Sequence, residues 1–222
     1  MSTRAQLRTR AQQRADMENS NFVGTSEWNT YIDESLQELY DLVVAVDQDR
    51  FVDSFDFTLS GSANTFNTTS LVTVFKSIRA LDYLTGSGPD DFITVPRFVF
   101  EERGSGERSY RIMGVFLRID PAGVAAGNYR LWYVPEVVYP ATDSTNMDQR
   151  LLTWEQYIVV ESARKALVKE ESGTAQVDAE KAALTARIVE MASDRDDARP
   201  DRIADVVGSD DMGIHRRRLP SP

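Results

Sequence analysis

Eight carboxylates crowd residues 33 to 56: Asp33, Glu34, Glu38, Asp41, Asp47, Asp49, Asp53 and Asp56, against the single base Arg50. Two acids at a fixed separation cleave glycosidic bonds, and a cluster of acids holds a divalent cation. No spacing here selects a pair. A solvated helix face and loop accounts for the run, and an acidic surface that repels phosphates is the sharper alternative. The one histidine, His215, stands beside Arg216, Arg217 and Arg218, so a triad or a two-histidine metal site has no second imidazole to draw on. Cysteine is absent, which excludes disulfides, thiolate zinc and cysteine nucleophiles. The stretches "GSGPDD" and "RGSGER" lack the Gly-Lys-Ser/Thr that completes a phosphate loop and read as hairpin turns. The residues therefore predict no catalytic site, no cofactor and no metal.

The elements that must carry these residues fall into four zones. Residues 1–50 predict two helices. Thr3 is placed to cap the first, with Leu7, Ala11 and Ala15 on one face, and Thr25 or Ser26 to cap the second. In the second helix Trp28, Ile32, Leu36, Leu39, Val43 and Val46 recur at three- and four-residue spacing. Residues 51–140 change to the alternating period of strands, in "FDFTL", "SLVTVFKSIRALDY", "RFVFEE", "SYRIMGVFLRI" and "YRLWYVP", about five in all. Residues 141–195 return to helix, over residues 148–172 with Gly173 as its stop, and then from a Thr174 cap with Val177, Leu184, Ile188 and Met191 in line. Residues 196–222 are polar and hold Pro200, Pro220 and Pro222, a composition that predicts an extended tail. The expected fold is α+β: an antiparallel bundle of about four helices, two from each end of the chain, with a central β-rich insert and an extended C-terminal tail.

The strand "GNYRLWYVP" is bulky on both faces. Tyr129, Leu131 and Tyr133 fall on one side and Arg130, Trp132 and Val134 on the other. Either a neighbouring subunit covers the second face, or the insert is a two-layered sandwich or barrel that handles both faces within one chain. Surplus apolar faces mark contact surfaces, so the residues point to an interaction protein.

Charge and length set the remaining bounds. With 222 residues and 41% hydrophobic content the chain can bury a core. The net charge of -10 argues against general nucleic-acid binding, which needs clustered Lys and Arg. The short basic clusters near the N-terminus and at 216 to 218 read as solvated or protein-bound arginines. No apolar run reaches the ~18 residues of a membrane span, so no membrane partner is expected. The N-terminal stretch has no apolar signal-peptide core, which predicts a chain made in the cytoplasm.

The order of segments resembles a family, the adaptor proteins of tailed-bacteriophage head-to-tail connectors. "LRTRAQQRADMENSNFVGTSEWNTYIDESLQELYDLVV" is similar to the family's opening, a short arginine-containing helix leading through a polar loop to a patterned helix. The pattern positions here are Glu27, Trp28, Asn29, Tyr31, Ile32, Asp33, Ser35, Glu38, Leu39 and Tyr40. "GNYRLWYVPEVV", "WEQYIVVESARKALVKEES" and "AALTARIVEMASDRD" followed by "RPDRIADV" resemble its later strand, helix and tail, in the same order and over nearly the whole chain.

The resemblance implies a structural virion protein of the neck rather than an enzyme. Such a protein forms a homo-oligomeric ring, twelve-fold in this family, under the portal protein. It extends the channel for double-stranded DNA, which passes without specific binding, and docks the tail, stopper or nozzle protein. Synthesis would be in the host bacterial cytoplasm. Carried onto this chain, the tail residues Arg195, Arg199, Arg202, Ile203 and Val206 would bind the portal. Trp132, Tyr129 and Tyr133 would lie at subunit contacts, and Asp33, Glu34, Glu38 and Asp41 would face the channel, where negative charge keeps the wall from gripping phosphates. Two alternatives stand beside it: another virion structural protein, such as a capsid decoration or tail-surface protein, and a virion-associated glycan hydrolase.

Overall fold

The computed structural model describes residues 2–60, 63–71, 74–86, 88, 91–98 and 107–193. Helix α1 (Arg4–Arg14) starts at Thr3, whose hydroxyl accepts the Gln6 N–H while the Gln6 side chain accepts the Thr3 N–H. This reciprocal pair satisfies two of the helix's orphan donors. Helix α2 (Thr25–Val46) buries Trp28, Ile32, Leu36, Leu39, Tyr40 and Val43 along one stripe. Its N-cap is Gly24, which offers no side-chain bond, so neither Thr25 nor Ser26 caps it. A 3-10 helix (Gln149–Trp154) leads into α3 (Glu155–Lys169).

Helix α3 does not run on to Gly173. Glu171 takes the left-handed conformation at φ 59°, its N–H reaching the Val168 carbonyl and that of Ser172 the Leu167 carbonyl. Those two bonds satisfy the last carbonyls and end the helix before the glycine is reached. Helix α4 (Ala175–Ser193) follows.

Between α2 and α3 lie seven strands: β1 (Asp53–Leu59), β2 (Thr65–Asn67), β3 (Phe75–Leu84), β4 (Phe92–Val95), β5 (Ser109–Met113), β6 (Phe116–Asp120) and β7 (Gly127–Pro135). They form two antiparallel sheets, one in the order β1-β7-β3-β4 and the other β2-β6-β5. Tyr129, Leu131 and Tyr133 of the first sheet pack with Tyr110, Leu117 and Ile119 of the second, and Phe57 stacks on Phe66 at 4.1 Å. The strand that is bulky on both faces is therefore covered by the chain's own second sheet.

The expected architecture is corrected here. A helical bundle carrying an insert of about five strands does not describe a chain in which seven strands build two sheets with a core of their own. β2 and β4 have three and four residues, too few for alternation to register. "SYRIMGVFLRI" is two strands, because Gly114 at φ 60° turns the chain between Met113 and Phe116. In "RFVFEE" the described part makes only an isolated bridge, Arg97 to Tyr110. The expected extended tail, residues 196–222, lies outside the described residues.

The two halves meet at the end of β7. Val134 belongs to the helical core with Ile32, Leu36, Tyr40, Phe51, Leu151 and Ile158, and the Tyr40 hydroxyl donates to the Pro135 carbonyl. A smaller cluster of Ala11, Val23, Trp28, Ala163 and Ala166 seats α1 against α2 and α3.

Candidate functional site

Helix α1 spends its basic side chains inside the chain. Arg4 pairs with Asp33, Arg8 with Asp143 at 2.7 Å, Arg10 with Glu155, and Arg14 with Glu180. Burial pushes the Glu155 carboxyl up, but bonds from Ser2 and Arg10 outweigh it and hold the group below its usual range. Arg8 holds the exposed Asp143 carboxyl low in the same way. These arginines are thus committed to carboxylates of α2, α3, α4 and the loop before α3, and the basic N-terminus is a clamp.

Three acids of α2 help line an open groove of about 400 Å³, whose walls are Thr30, Asp33, Glu34, Gln37, Glu38, Tyr139 and Lys165. The structure brings Asp33, Glu34 and Glu38 together there. Asp41 stands beside them, accepting from Gln37 at 3.0 Å and pairing with Lys76 of β3. Lys165 bridges Glu34 at 3.0 Å and Glu38 at 2.9 Å. Burial lowers the affinity of its amine for a proton, yet the bonds to Glu38 and Glu34 win and hold it above the usual lysine range. For Glu38 burial acts upward and the contacts with Lys165 and Lys181 pull it below the usual range. Asp33 is the exception, since burial outweighs Arg4 and raises its carboxyl. The groove is acidic in residue type but each of these four acids has a cation against it.

Linked to the groove through Lys181, which also reaches Glu38, is a carboxylate that spacing did not single out. Glu161 of α3 has a side chain only 2% exposed, with Lys181 of α4 at 2.8 Å and Arg164 at 3.5 Å. Ser162 donates to Ser35 at 3.2 Å beside it, across the α2–α3 contact. A sequence signal existed: Glu161 falls three residues after Ile158, on the stripe that α3 buries.

On the first sheet's outer face, Arg130 forks onto Asp56 with bonds of 2.8 and 3.0 Å. That bond and its charge hold the Asp56 carboxyl low. Asp82, only 3% exposed, accepts from the Trp132 indole at 2.6 Å and the Thr94 hydroxyl at 2.9 Å. Trp132 is thus half-buried and tied to its own sheet. Tyr129 and Tyr133 are buried between the sheets, and the Tyr129 hydroxyl donates to the Ala125 carbonyl at 2.7 Å. The chain itself covers both rings, which the sequence expectation had set at a subunit contact. Arg195, Arg199, Arg202, Ile203 and Val206 lie outside the described residues.

Among the described residues no group of three or more His, Asp or Glu side chains is placed to hold a metal ion. No helix among them is long and apolar enough to cross a membrane. The arrangement fastens four helices and a sheet to one another through charge, and it presents apolar side chains outward at Val74, Ile93, Val115, Phe116 and Val138. Such a surface suits contact with other chains. No protein-family model matches the sequence, and no curated protein matches it.

Proposed function

We propose that the chain is a structural adaptor of a tailed-phage head-to-tail connector, joining with copies of itself in a ring beneath the portal protein. The ring would extend the DNA channel and dock the tail or the next neck protein. The observation that carries the reading is where the adaptor-like motifs meet. Trp28, Ile32, Leu39 and Tyr40 of the α2 motif and Trp154, Tyr157 and Ile158 of the α3 motif are all buried, and Ile32, Leu39, Tyr40, Trp154, Tyr157 and Ile158 share one core. Five of the ten α2 positions that carry the likeness, Trp28, Ile32, Ser35, Leu39 and Tyr40, thus lie among the residues that pack the subunit.

Two further features support it. The arginines of α1 are occupied by carboxylates of the same chain, so they are not free to grip a phosphate backbone. On the α2 face Glu34 and Asp41 are more exposed than the lysines paired with them, Lys165 and Lys76. The portal contact assigned to Arg195, Arg199, Arg202, Ile203 and Val206 belongs to the same proposal.

Copies per purified virion, counted by quantitative mass spectrometry against the portal protein, test the reading. A one-to-one ratio is the expected result. A ratio in the hundreds would make it a capsid decoration protein, and absence from the particle would end the connector proposal.

A further inference from the structure

The register of the four-stranded sheet can be followed from edge to edge. Thr58 stands opposite Asn128, Asn128 opposite Leu84, and Leu84 opposite Phe92. One residue along, the row is Phe57, Tyr129, Tyr83 and Ile93, and the next is Asp56, Arg130, Asp82 and Thr94. All three pairings are antiparallel, so β1 and β4, the two edges, run in opposite directions. A copy placed beside the sheet in the same orientation would set its β1 antiparallel to β4.

β4 is suited to accept a strand. Phe92 is 38% and Ile93 62% exposed, Thr94 is exposed too, and no charged residue or proline interrupts the strand. Edges that stay unpaired are usually guarded by such residues. Among the described residues no strand lies on the far side of β4. The facing rows also match. Ile93 is on the side of the sheet that carries Tyr83, Tyr129 and Phe57, so the next copy would bring an aromatic residue against it. Phe92 and Thr94 would meet Thr58 and Asp56 on the outer side.

We infer that the sheet continues from one copy of the chain to the next, the outer edge of β4 pairing antiparallel with β1 of a second copy. This rests on the ring reading above and names its contact. A head-to-tail joint of two different edges closes into a ring when its rotation permits, whereas β4 on β4 would stop at a dimer.

The chain's lack of cysteine makes the test clean. Full-length Phe92→Cys and Thr58→Cys proteins are mixed, assembled on the portal and treated with a short bis-maleimide. Residues directly opposite in an antiparallel pair have Cβ atoms about 5 Å apart, within its span. The mixed adduct should exceed either self-adduct roughly tenfold, because the paired edges hold the two thiols at high effective concentration. Adding Ile93→Lys to the Phe92→Cys protein should remove the adduct. In the unmodified chain, amide exchange over residues 92–95 should slow on assembly.

A ring on the portal with neither adduct nor slowed exchange overturns the edge pairing and leaves the connector reading intact. The mixed adduct without any ring keeps the edge pairing and overturns the connector reading. Self-adducts in excess mean a two-fold contact and overturn the inference.

Discussion

Lys181 is the residue on which the buried charge of α3 depends. It sits 2.8 Å from Glu161 and 3.4 Å from Glu38, joining α4 to both α3 and α2. Lys181→Met would leave the Glu161 carboxylate buried, with Arg164 at 3.5 Å as its remaining cation. Breaking a fully buried pair costs about 3–5 kcal/mol; with Lys181 partly exposed, a loss of about 2 kcal/mol is expected in urea unfolding. Glu161→Gln in the same protein should restore part of it, since the uncompensated charge is then gone. Tyr40 supplies a pH signature. Burial pushes its hydroxyl up from 10.0 to about 12. The folded pKa lies above the unfolded one, so its stabilisation is complete below about pH 10 and is lost as pH rises toward about 12. Tyr40→Phe should flatten that alkaline decline. At neutral pH it should cost about 1 kcal/mol, because the buried Pro135 carbonyl loses its donor.

At the scale of elements, the far end of the sheets is closed by a stack. Gly127 opens β7 at φ 143°, and a Cβ there would meet the Tyr83 ring at 2.3 Å. Arg108 lies 3.5 Å over the same ring and donates two bonds to the Val124 carbonyl, at 2.7 and 3.1 Å. Moving the ring clear of a new methyl would disturb its contact with Arg108. Gly127→Ala should therefore destabilise by more than ~1 kcal/mol, through both the backbone and the contact. Gly123→Ala, with nothing within 4 Å, should stay near wild type in the same thermal melt. The helices were the legible elements. The stripe from Trp28 to Val43 gave α2 its face, because helical periodicity is a local property repeated turn after turn. The strands were legible only in part, with β1 and β7 falling where alternation put them. β2 and β4 are too short to show alternation, and Gly114 divides what reads as a single run.

At the scale of the whole molecule, the tail is where the connector proposal meets the portal. Deleting residues 196–222 should abolish ring assembly on purified portal, read by the size of the complex that forms, with a thermal melt of the truncated chain run alongside to show that it still folds. Undiminished assembly by the truncated chain would remove the tail from the mechanism. By itself the sequence determined the helical stripes, the zone of strands between them, the absence of cysteine and the acidic balance, all of which are read from composition or from neighbouring residues. Only the tertiary structure decided what covers each face. The pairings Arg4–Asp33, Lys165–Glu38 and Lys181–Glu161 join residues 29, 127 and 20 positions apart, and no local pattern encodes such a meeting. The same holds for Tyr129 and Tyr133. Their alternation announced two bulky faces, but which face met a second sheet and which met solvent depended on a fold-back of the whole β region, a choice made by long-range packing.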